Sequence, residues 1–497
     1  MKKLFSLLLA ATMTFSLTLP ALADHYTYSE PEKSTMMPRS TPETHGMSSQ
    51  YILDLLDAFD YADAEVHNIL MAIDGEVVFE GHYAPYTALD PHIMFSGTKI
   101  FTNAAVGVAV TEGYLHLDDY VYDVLKDYVT QDVSELQSKV QLKHLLTMTS
   151  GVDRFMSGSE LRPLTTSWIE HILTEPIVHE PGTYYLYSSG NTMLSSAMVT
   201  VATGKTCLEL LNTTGFCGHG GIKITAEDLA KVGQLYMNGG VWNGKQILSK
   251  EWCDLAIGYE KTVENQGAYA YHWTAYEDGL YYTATGSYGQ TLAICPKLNM
   301  VIAIQAGTNQ NIGELLYQNI FKPYGDALDA GTVPEPDDAL SAALAKRAEN
   351  LNLMFTTDFT ASPIGELVDD VTFTAAENQY GITTLSLDVH DDYIDYTMTD
   401  ARGTHTIRNG IWQWLKGETS MTSNYTHHQY QYPTEPVYAY AEWKDANTLQ
   451  LTWRFPELAF VDTLTLTFSD DGSQIGMVRS VNVNSGPLVC DEVVFTK

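Results

Sequence analysis

Basic residues are scarce in this sequence, and their scarcity argues against several classes of function. The 497 residues include 27 lysines and arginines against 61 aspartates and glutamates, giving a formal net charge of −34. A surface with this excess of negative charge repels the phosphates of nucleic acids and the headgroups of anionic membranes. We therefore expect no nucleic-acid partner.

Cysteines are also few, and their number is odd. The five are Cys207, Cys217, Cys253, Cys295 and Cys490. They show no C-x-x-C spacing, and the 15 histidines include no H-E-x-x-H motif. The sequence thus predicts no metal site and no cofactor. Cys207 and Cys217 are close enough in sequence to form a disulfide, but their spacing leaves the pairing open.

Long hydrophobic runs are absent beyond the first residues, so no later segment reaches the roughly 18 apolar residues of a membrane span. The first segment, "MKKLFSLLLAATMTFSLTLPALA", has two lysines, an apolar run and a small-residue ending. These features predict a signal peptide over residues 1–23, cleaved between Ala23 and Asp24. No cysteine follows the cleavage site directly, which argues against a lipid anchor. We expect a protein that is secreted or held at the exterior of the cell envelope.

The pattern of apolar residues predicts strands at both ends of a first domain, with helices between them. Residues 48–61 have helical periodicity, and "NILMAIDGEVVFEGHY" is typical of a β-hairpin turning at Asp74-Gly75. Thr225 with Asp228 three residues later indicates a helix start. Three short strands are predicted in "GLYYTATGSYGQTLAICPKLNMVIAIQAG". This order favours a single sheet assembled from both ends of the domain, with a helical insertion.

A second domain is predicted after an acidic, proline-containing linker at residues 325–338. Beyond a short helix, segments such as "TTLSLDVHD" and "DTLTLTFSDDG" alternate apolar and polar residues and favour a β-sandwich or a small barrel. We predict a first domain over residues 24–330, a linker with a short helix over 331–350, and an all-β domain over 351–497. The last could bind substrate, cover a cleft or mediate self-association; we interpret it as a packing module.

The segment "HIMFSGTKIFTNAAVGVAV" carries the strongest chemical signal. With Ser96 at a helix start, Lys99 lies one turn further on the same face, with its amine near the hydroxyl. A serine needs a neighbouring base to act as a nucleophile, and a desolvated lysine can be that base. The small residues that follow allow close packing, which would keep water from Lys99. The alternative is a capping serine beside an exposed lysine.

Further segments follow in a fixed order: "GYLHLDDYVYDVL", "LKHLLTMTSGV", "EPGTYYLYSSGNTMLSSAMVTVATGK", "GGIKITAEDLAKVGQLYMNGG" and "TATGSYGQTLAICPKLNMVIAI". With "FSGTK" they resemble the serine β-lactamase and penicillin-binding-protein superfamily, and most of all its class C-like, β-lactamase-related serine hydrolases. The resemblance covers about residues 40–325. It implies an α/β (α+β) fold of the β-lactamase/transpeptidase type, in which helices flank an antiparallel sheet.

The resemblance also implies roles for individual residues. Ser96 corresponds to the acylated nucleophile, Lys99 to its activating partner and Tyr187 to a proton relay. The third motif of the family corresponds to Ala284-Thr285-Gly286, and the backbone N–H groups of Ser96 and Ser287 would form the oxyanion hole. Thr285, Gly286 and Ser287 would then contact substrate, together with Ser189 or Asn191.

Three departures from the family pattern bear on the substrate. Ala284 stands where the family usually has a cation, and Ser189 stands where it has an asparagine unless Asn191 enters from a bulged loop. The segment from Lys205 to Ile222 is also short. These departures argue against an efficient β-lactamase and leave the activity of an esterase, D-amino-acid peptidase or amidase open.

The substrate we expect is a small or peptide-like ester or amide, whose identity the sequence leaves open together with the oligomeric state. The alternative function is that of a catalytically silent, penicillin-binding-like protein that binds a ligand without turnover.

Overall fold

The computed structural model describes residues 36–161, 163–211, 221–258, 263, 265, 267–332, 335–353, 361–423, 425–428 and 430–497. The predicted signal peptide and Cys217 lie outside these residues. Among those described, four cysteines are free thiols, and no helix combines the length and apolar composition of a membrane span.

The first domain is built on a seven-stranded sheet. The strands of this domain are β1 (Val66–Ile73), β2 (Glu76–His82), β3 (His92–Ile93), β4 (Lys223–Ile224), β5 (Val241–Trp242), β6 (Lys245–Gln246), β7 (Tyr269–Ala270), β8 (Trp273–Tyr276), β9 (Tyr281–Gly286), β10 (Gln290–Cys295) and β11 (Met300–Ala306). The sheet order is β2-β1-β11-β10-β9-β8-β7, and all neighbours are antiparallel. Because β1 pairs with β11, the sheet joins both ends of the domain, which confirms the prediction.

Local turn chemistry sets the first hairpin. Asp74 and Gly75 connect β1 to β2 with φ angles of 52° and 80°. A two-residue hairpin turn with positive φ at both positions matches the twist of the strands, and an Asp-Gly pair adopts it readily. The turn predicted from the sequence is therefore confirmed.

Most helices come between β2 and β9, as predicted. The helices of the chain are α1 (Ser49–Tyr61), α2 (Lys99–Thr111), α3 (Val121–Leu125), α4 (Glu135–Ser138), α5 (Leu142–Leu146), α6 (Gly158–Leu161), α7 (Trp168–Leu173), α8 (Ser189–Thr203), α9 (Cys207–Leu211), α10 (Ala226–Met237), α11 (Lys250–Ile257), α12 (Ile312–Leu316), α13 (Lys322–Asp329), α14 (Asp338–Glu349) and α15 (Pro363–Val368). A π-helical segment, Tyr317–Phe321, joins α12 to α13. Thr225 caps α10 by accepting a hydrogen bond from the N–H of Asp228.

The sheet separates two apolar cores. Strand β1 is buried along its whole length, so its alternate side chains enter opposite layers. Leu70 and Ala72 belong to the core shared with α2, α8 and α10, whereas Ile69 and Met71 belong to the core shared with α1, α12 and α14. Helix α2, which follows the Ser-Gly-Thr-Lys segment, thus lies in the interior of the domain.

The first residues of the 325–338 segment, which the sequence analysis interprets as a linker, are helical. Residues 325–329 are the last turn and a half of α13, and α14 packs back on the first domain. Leu344 of α14 joins the same apolar core as Leu55, and the carbonyl of Leu351 accepts a hydrogen bond from the N–H of Ala84. Residues 338–351 are therefore attached to the first domain, and the domain boundaries drawn from the sequence stay predictions.

The C-terminal domain is a β-barrel. The alternation of apolar and polar residues in its sequence allowed either a β-sandwich or a small barrel, and the structure shows the barrel. Its strands are β12 (Val371–Ala375), β13 (Thr384–Val389), β14 (Tyr393–Asp400), β15 (Gly403–Ile411), β16 (Leu415–Thr419), β17 (Glu435–Asp445), β18 (Thr448–Arg454), β19 (Val461–Phe468), β20 (Gln474–Val481) and β21 (Val493–Thr496). They follow the order β15-β14-β13-β12-β21-β20-β19-β18-β17-β16, and a pairing of β15 with β17 closes the sheet.

Charged contacts join the barrel to the first domain. Lys223 of β4 lies 2.7 Å from a carboxylate oxygen of Glu435 and 2.8 Å from one of Glu457. Arg454, which is buried, lies 2.7 Å from a carboxylate oxygen of Glu65. The barrel's apolar core also includes Phe95, the residue before Ser96. The two domains are therefore in contact beside the predicted nucleophile.

Candidate active site

Ser96 lies in a short turn that leads into a buried helix. Residues Phe95–Thr98 form a 3₁₀ turn, closed by a 2.8 Å hydrogen bond from the N–H of Gly97 to the carbonyl of Met94. Helix α2 begins directly after this turn, at Lys99. The sequence places Ser96 at the start of the α-helix itself, and the structure inserts one tighter turn before it.

Lys99 is buried next to the Ser96 hydroxyl. Its Nζ lies 3.0 Å from Ser96 Oγ, and only 2% of the residue is exposed. Burial lowers the pKa of Lys99 to about 7, because the charged amine loses its hydration. A substantial fraction of the amine is thus neutral near pH 7 and able to accept the serine proton. The alternative of a capping serine beside an exposed lysine does not hold.

The packing of α2 keeps the Lys99 amine away from bulk water. Every residue from Lys99 to Ala109 is buried. Asn103, one turn after Lys99, donates a 2.8 Å hydrogen bond to the carbonyl of Tyr271 and holds that segment against the helix. At Gly107 a Cβ atom would lie 2.4 Å from Trp252 Nε1, so only glycine permits this approach of α11.

Tyr187 lies close to both Lys99 and Ser96. The centre of its ring is 5.0 Å from Lys99 Nζ. Phe155 stacks on the Tyr187 ring at 6.0 Å, and Tyr269 meets its edge at 5.6 Å. Burial raises the pKa of Tyr187 to about 12, although a hydrogen bond with Ser96 opposes the shift. The phenol therefore stays protonated at neutral pH and can donate a proton, while Lys99 is the group able to accept one.

The end of β9 approaches the Ser96 turn closely. A Cβ atom at Gly286 would lie 2.0 Å from the carbonyl oxygen of Met94. The backbone of Gly286 is extended, with a φ of −121° that other residues also adopt. A glycine is therefore required here by the lack of space for a side chain and not by its backbone conformation. This contact brings Thr285, Gly286 and Ser287 to the same cavity as Ser96. Backbone N–H groups at such a junction can stabilise a developing oxyanion.

These groups surround one cavity of about 410 Å³, within the size range of small-molecule sites. Six residues predicted from the sequence line it: Ser96, Lys99, Tyr187, Thr285, Gly286 and Ser287. Four lining residues were not predicted: Tyr185, Tyr269, His272 and Thr274.

Two predicted substrate-binding residues lie elsewhere. Ser189 and Asn191 are buried in the first turn of α8 and are not among the described residues that line the cavity. The Asn191 amide accepts a 2.8 Å hydrogen bond from Ser150 Oγ and donates to Met148 Sδ at 3.5 Å. Asn191 thus sits within a helix and not in a bulged loop, because the helix begins as early as Ser189.

His272 is a cavity residue that the sequence analysis missed. Its Nε2 lies 3.2 Å from Thr192 Oγ1, and the residue is buried. Burial, and then the charge of Lys99, lower the pKa of His272 to about 3, so the ring stays neutral beside the amine. The sequence offered one indication of its position. The aromatic-rich segment "YAYHWTAY", which contains His272, lies just before the strand that carries Ala284-Thr285-Gly286, and its strand β8 pairs with that strand.

The cavity has little fixed charge. Among the described lining residues, Lys99 is the only amine, and none is an arginine or a carboxylate. Ala284, which stands where a cation was expected, is buried in the core between the sheet and α2. Most of the short Lys205–Ile222 segment, residues 212–220, lies outside the described residues.

Two solved structures of low sequence identity superpose on this chain. A penicillin-binding protein homologue from Pyrococcus abyssi, described as octameric, superposes with a TM-score of 0.45 at 14% identity and covers 90% of this chain and 99% of its own. A family VIII carboxylesterase superposes with a TM-score of 0.45 at 14% identity and covers 58% of this chain and 99% of its own.

Sequence comparison gives a relative and a family. A 6-aminohexanoate-dimer hydrolase of Paenarthrobacter ureafaciens is 24% identical over 274 residues, which cover 46% of this chain and 69% of that protein. The model of the family described as Beta-lactamase matches residues 67–216 and 209–322, together just over half of the chain. These stretches contain the Ser96 turn, α8 and strands β9 to β11. The chain belongs to the beta-lactamase family.

Proposed function

We propose that this protein is a serine hydrolase that cleaves an uncharged ester or amide through an acyl-enzyme on Ser96. The observation that carries the proposal is the buried Lys99 amine 3.0 Å from Ser96 Oγ, with a pKa lowered to about 7. Such a neutral amine is the base that a serine nucleophile needs. Membership of the beta-lactamase family supports the same chemistry.

In the first half of the reaction, Ser96 Oγ attacks the substrate carbonyl carbon while its proton passes to Lys99 Nζ. The carbonyl oxygen becomes an oxyanion, which the N–H groups of Ser96 and Ser287 would stabilise. When the tetrahedral intermediate collapses, the bond to the leaving alcohol or amine breaks and the leaving group takes a proton. Tyr187 can donate that proton, because its pKa is raised to about 12, and Lys99 can then restore it.

In the second half, water attacks the ester that joins the acyl group to Ser96. Lys99, neutral again, removes a proton from the water, and a second oxyanion forms at the same N–H groups. Collapse of this intermediate breaks the bond to Ser96 Oγ, returns the proton to the serine and releases the acid. No further group is required for the atoms and charges to balance.

The composition of the cavity supports an uncharged substrate. Its described lining offers tyrosines and threonines but no arginine, and its single amine is the base itself. A buried carboxylate without a cationic partner would lose its hydration without compensation. The name of the relative from Paenarthrobacter ureafaciens, a 6-aminohexanoate-dimer hydrolase, supports amides among the candidates.

Covalent labelling tests the nucleophile directly. The full chain is treated with a fluorophosphonate, digested, and searched by mass spectrometry for the modified peptide. We expect the label on Ser96 and none on a Ser96→Ala variant shown to be folded by circular dichroism. Absence of label on the folded wild type, or label on another serine alone, would overturn the proposal.

Turnover separates an enzyme from a protein that only binds ligand. We expect hydrolysis of p-nitrophenyl butyrate that disappears in Ser96→Ala. The monoester of glutaric acid with p-nitrophenol, similar in length but carrying a carboxylate, should have a kcat/KM lower by about tenfold or more. Preference for the charged ester would contradict the assignment of an uncharged substrate.

Export is part of the proposal. The composition of residues 1–23 supports a cleaved signal peptide, and the acidic composition suits an extracellular protein. N-terminal sequencing of protein recovered outside the cytoplasm should give Asp24 as the first residue. Recovery of the intact N-terminus in the cytoplasm would argue against it.

A further inference from the structure

The residues beside the two oxyanion-hole positions share an unusual backbone. Phe95 precedes Ser96 and Tyr288 follows Ser287, and their φ angles are +42° and +63°. Bulky side chains rarely occupy this left-handed region, and they persist there only when their surroundings hold them. The conformations at both positions therefore need a constraint from outside the local chain.

The C-terminal barrel supplies that constraint through aromatic rings. Phe95 and Tyr288 meet edge to face at 5.3 Å. Both rings contact Phe460 of the barrel, at 6.1 Å and 5.8 Å, and both contact His428, at 5.9 Å and 5.6 Å. The Tyr288 hydroxyl is also 3.0 Å from His428 Nδ1. We call Phe460 and His428 the aromatic platform.

The Phe460 ring of the platform is fixed within the barrel. Phe460 is fully buried and stacks on His427, with ring centres 4.8 Å apart and planes 2° from parallel. His427 Nε2 lies 2.8 Å from a carboxylate oxygen of Asp462, and that carboxylate accepts a 2.9 Å hydrogen bond from Nε of Arg479. All three polar side chains are buried. A displacement of Phe460 would therefore disturb a buried charged network.

Hydrogen bonds to backbone groups tie the barrel to the same two segments. The N–H of Ile93, three residues before Ser96, donates to the carbonyl of Glu457 at 2.9 Å. On the other side, the side-chain amide of Asn482 donates to the carbonyl of Gly307 at 2.9 Å, and the N–H of Thr308, the next residue, donates to the carbonyl of Tyr288 at 3.2 Å. The barrel thus contacts both halves of the predicted oxyanion hole.

We propose that the aromatic platform of the C-terminal barrel sets the relative position of the Ser96 and Ser287 N–H groups, acting through Phe95 and Tyr288 as positioning residues. This inference rests on the proposed function, because it assigns those N–H groups to an oxyanion. It gives the barrel a part in catalysis beyond the packing role inferred from the sequence. No barrel side chain needs to touch substrate.

The proposed positioning role predicts that a disturbed platform lowers kcat and leaves KM nearly unchanged. Oxyanion-hole donors must meet the oxygen of the transition state at about 2.7–3.1 Å. A displacement of about 1 Å can reduce the rate about 100-fold. Because the oxyanion exists only near the transition state, kcat should fall while KM changes little.

The test compares two buried phenylalanines of the barrel in the full chain. In Phe460→Ala we expect kcat for p-nitrophenyl butyrate to fall by about 100-fold, with KM within about threefold of wild type. The matched control is Phe468→Ala, which removes an equally large ring that packs on Trp443 in the same core. Its kcat should stay within about twofold of wild type. Equal losses of kcat in both variants, or a loss in neither, would overturn the inference.

A milder variant covers the case in which Phe460→Ala does not fold. Tyr288→Phe keeps the ring and removes the hydroxyl, which contacts His428 and also hydrogen-bonds with Ser485 of the barrel. In this variant kcat should fall by about threefold to tenfold at constant KM. An unchanged kcat in Tyr288→Phe would then overturn the inference. Failure of the proposed function looks different, because the wild type itself would show neither Ser96 labelling nor ester hydrolysis.

Discussion

The amine of Lys99 lies 5.0 Å from the centre of the Tyr187 ring, and burial shifts the pKa values of the two groups in opposite directions. The amine comes to about 7 and the phenol to about 12, because low polarity favours the neutral form of each. At neutral pH the lysine can therefore take a proton and the tyrosine can give one. This division of roles leads to the first two predictions.

The pH profile should report Lys99. The reaction needs the neutral amine, so kcat/KM should rise with pH through an apparent pKa of about 7 and level off above it. The high pKa of Tyr187 predicts no loss of rate from phenolate formation up to about pH 10. Steady-state kinetics between pH 5 and pH 10 would check both expectations. A kcat/KM already constant from pH 5 upwards would point to a carboxylate base, and one still rising steeply at pH 10 would point to the phenolate.

Tyr187→Phe should slow the reaction without moving its pH profile. Loss of a proton donor typically costs about 100-fold or more in kcat, but the base remains Lys99. Tyr184→Phe is the matched control, since that ring stacks on His179 at 3.9 Å and is not among the described cavity residues. Disappearance of the rise near pH 7 in Tyr187→Phe would show that Tyr187 is the base.

Burial of Lys99 should reduce stability at neutral pH. Its pKa falls from 10.5 unfolded to about 7 folded, so between these values the unfolded chain binds more protons. Wild-type stability should therefore rise with pH from about 7 to 10.5, and the full cost of burial applies below pH 7.

Lys99→Met removes that cost and should raise the free energy of unfolding at pH 7 by on the order of 4 kcal/mol. The gain should shrink as the pH rises towards 10. Denaturant unfolding at several pH values measures it, and Lys126→Met, at an exposed lysine, should change stability by less than about 0.5 kcal/mol. Equal stability of Lys99→Met and wild type at pH 7 would contradict the buried, neutral amine.

Much of the fold could be predicted because its signals are local. The Asp74-Gly75 turn and the strands around Ser287 depend on residues adjacent in sequence, and both are confirmed. The spacing of Ser96 and Lys99 is likewise local, since one helical turn brings the two side chains together. Lys99 is buried because it is the first residue of α2, whose residues from Lys99 to Ala109 are all buried.

The remaining cavity residues depend on contacts between distant segments. His272 enters the site because Asn103 holds its neighbour Tyr271 against α2, a contact between residues 168 positions apart in the sequence. Asn191 stays away because α8 begins two residues before it and its amide bonds to Ser150. Likewise, alternation in the C-terminal sequence predicts strands but does not reveal that Phe460 meets the residue before Ser96.

The contact between Gly286 and Met94 gives a steric test of the site. Gly286→Ala places a Cβ atom 2.0 Å from the Met94 carbonyl oxygen, so the end of β9 and the Ser96 turn must separate. We expect a loss of about 1–3 kcal/mol in the free energy of unfolding, together with a reduced kcat. Gly417→Ala is the control, because a Cβ there meets nothing within 4 Å and alanine fits its strand. Since the Gly286 backbone is already in a conformation open to alanine, any loss measured there reports the lack of space between the two segments. Wild-type stability and kcat in Gly286→Ala would mean that the strand end and the nucleophile turn are further apart than this contact requires.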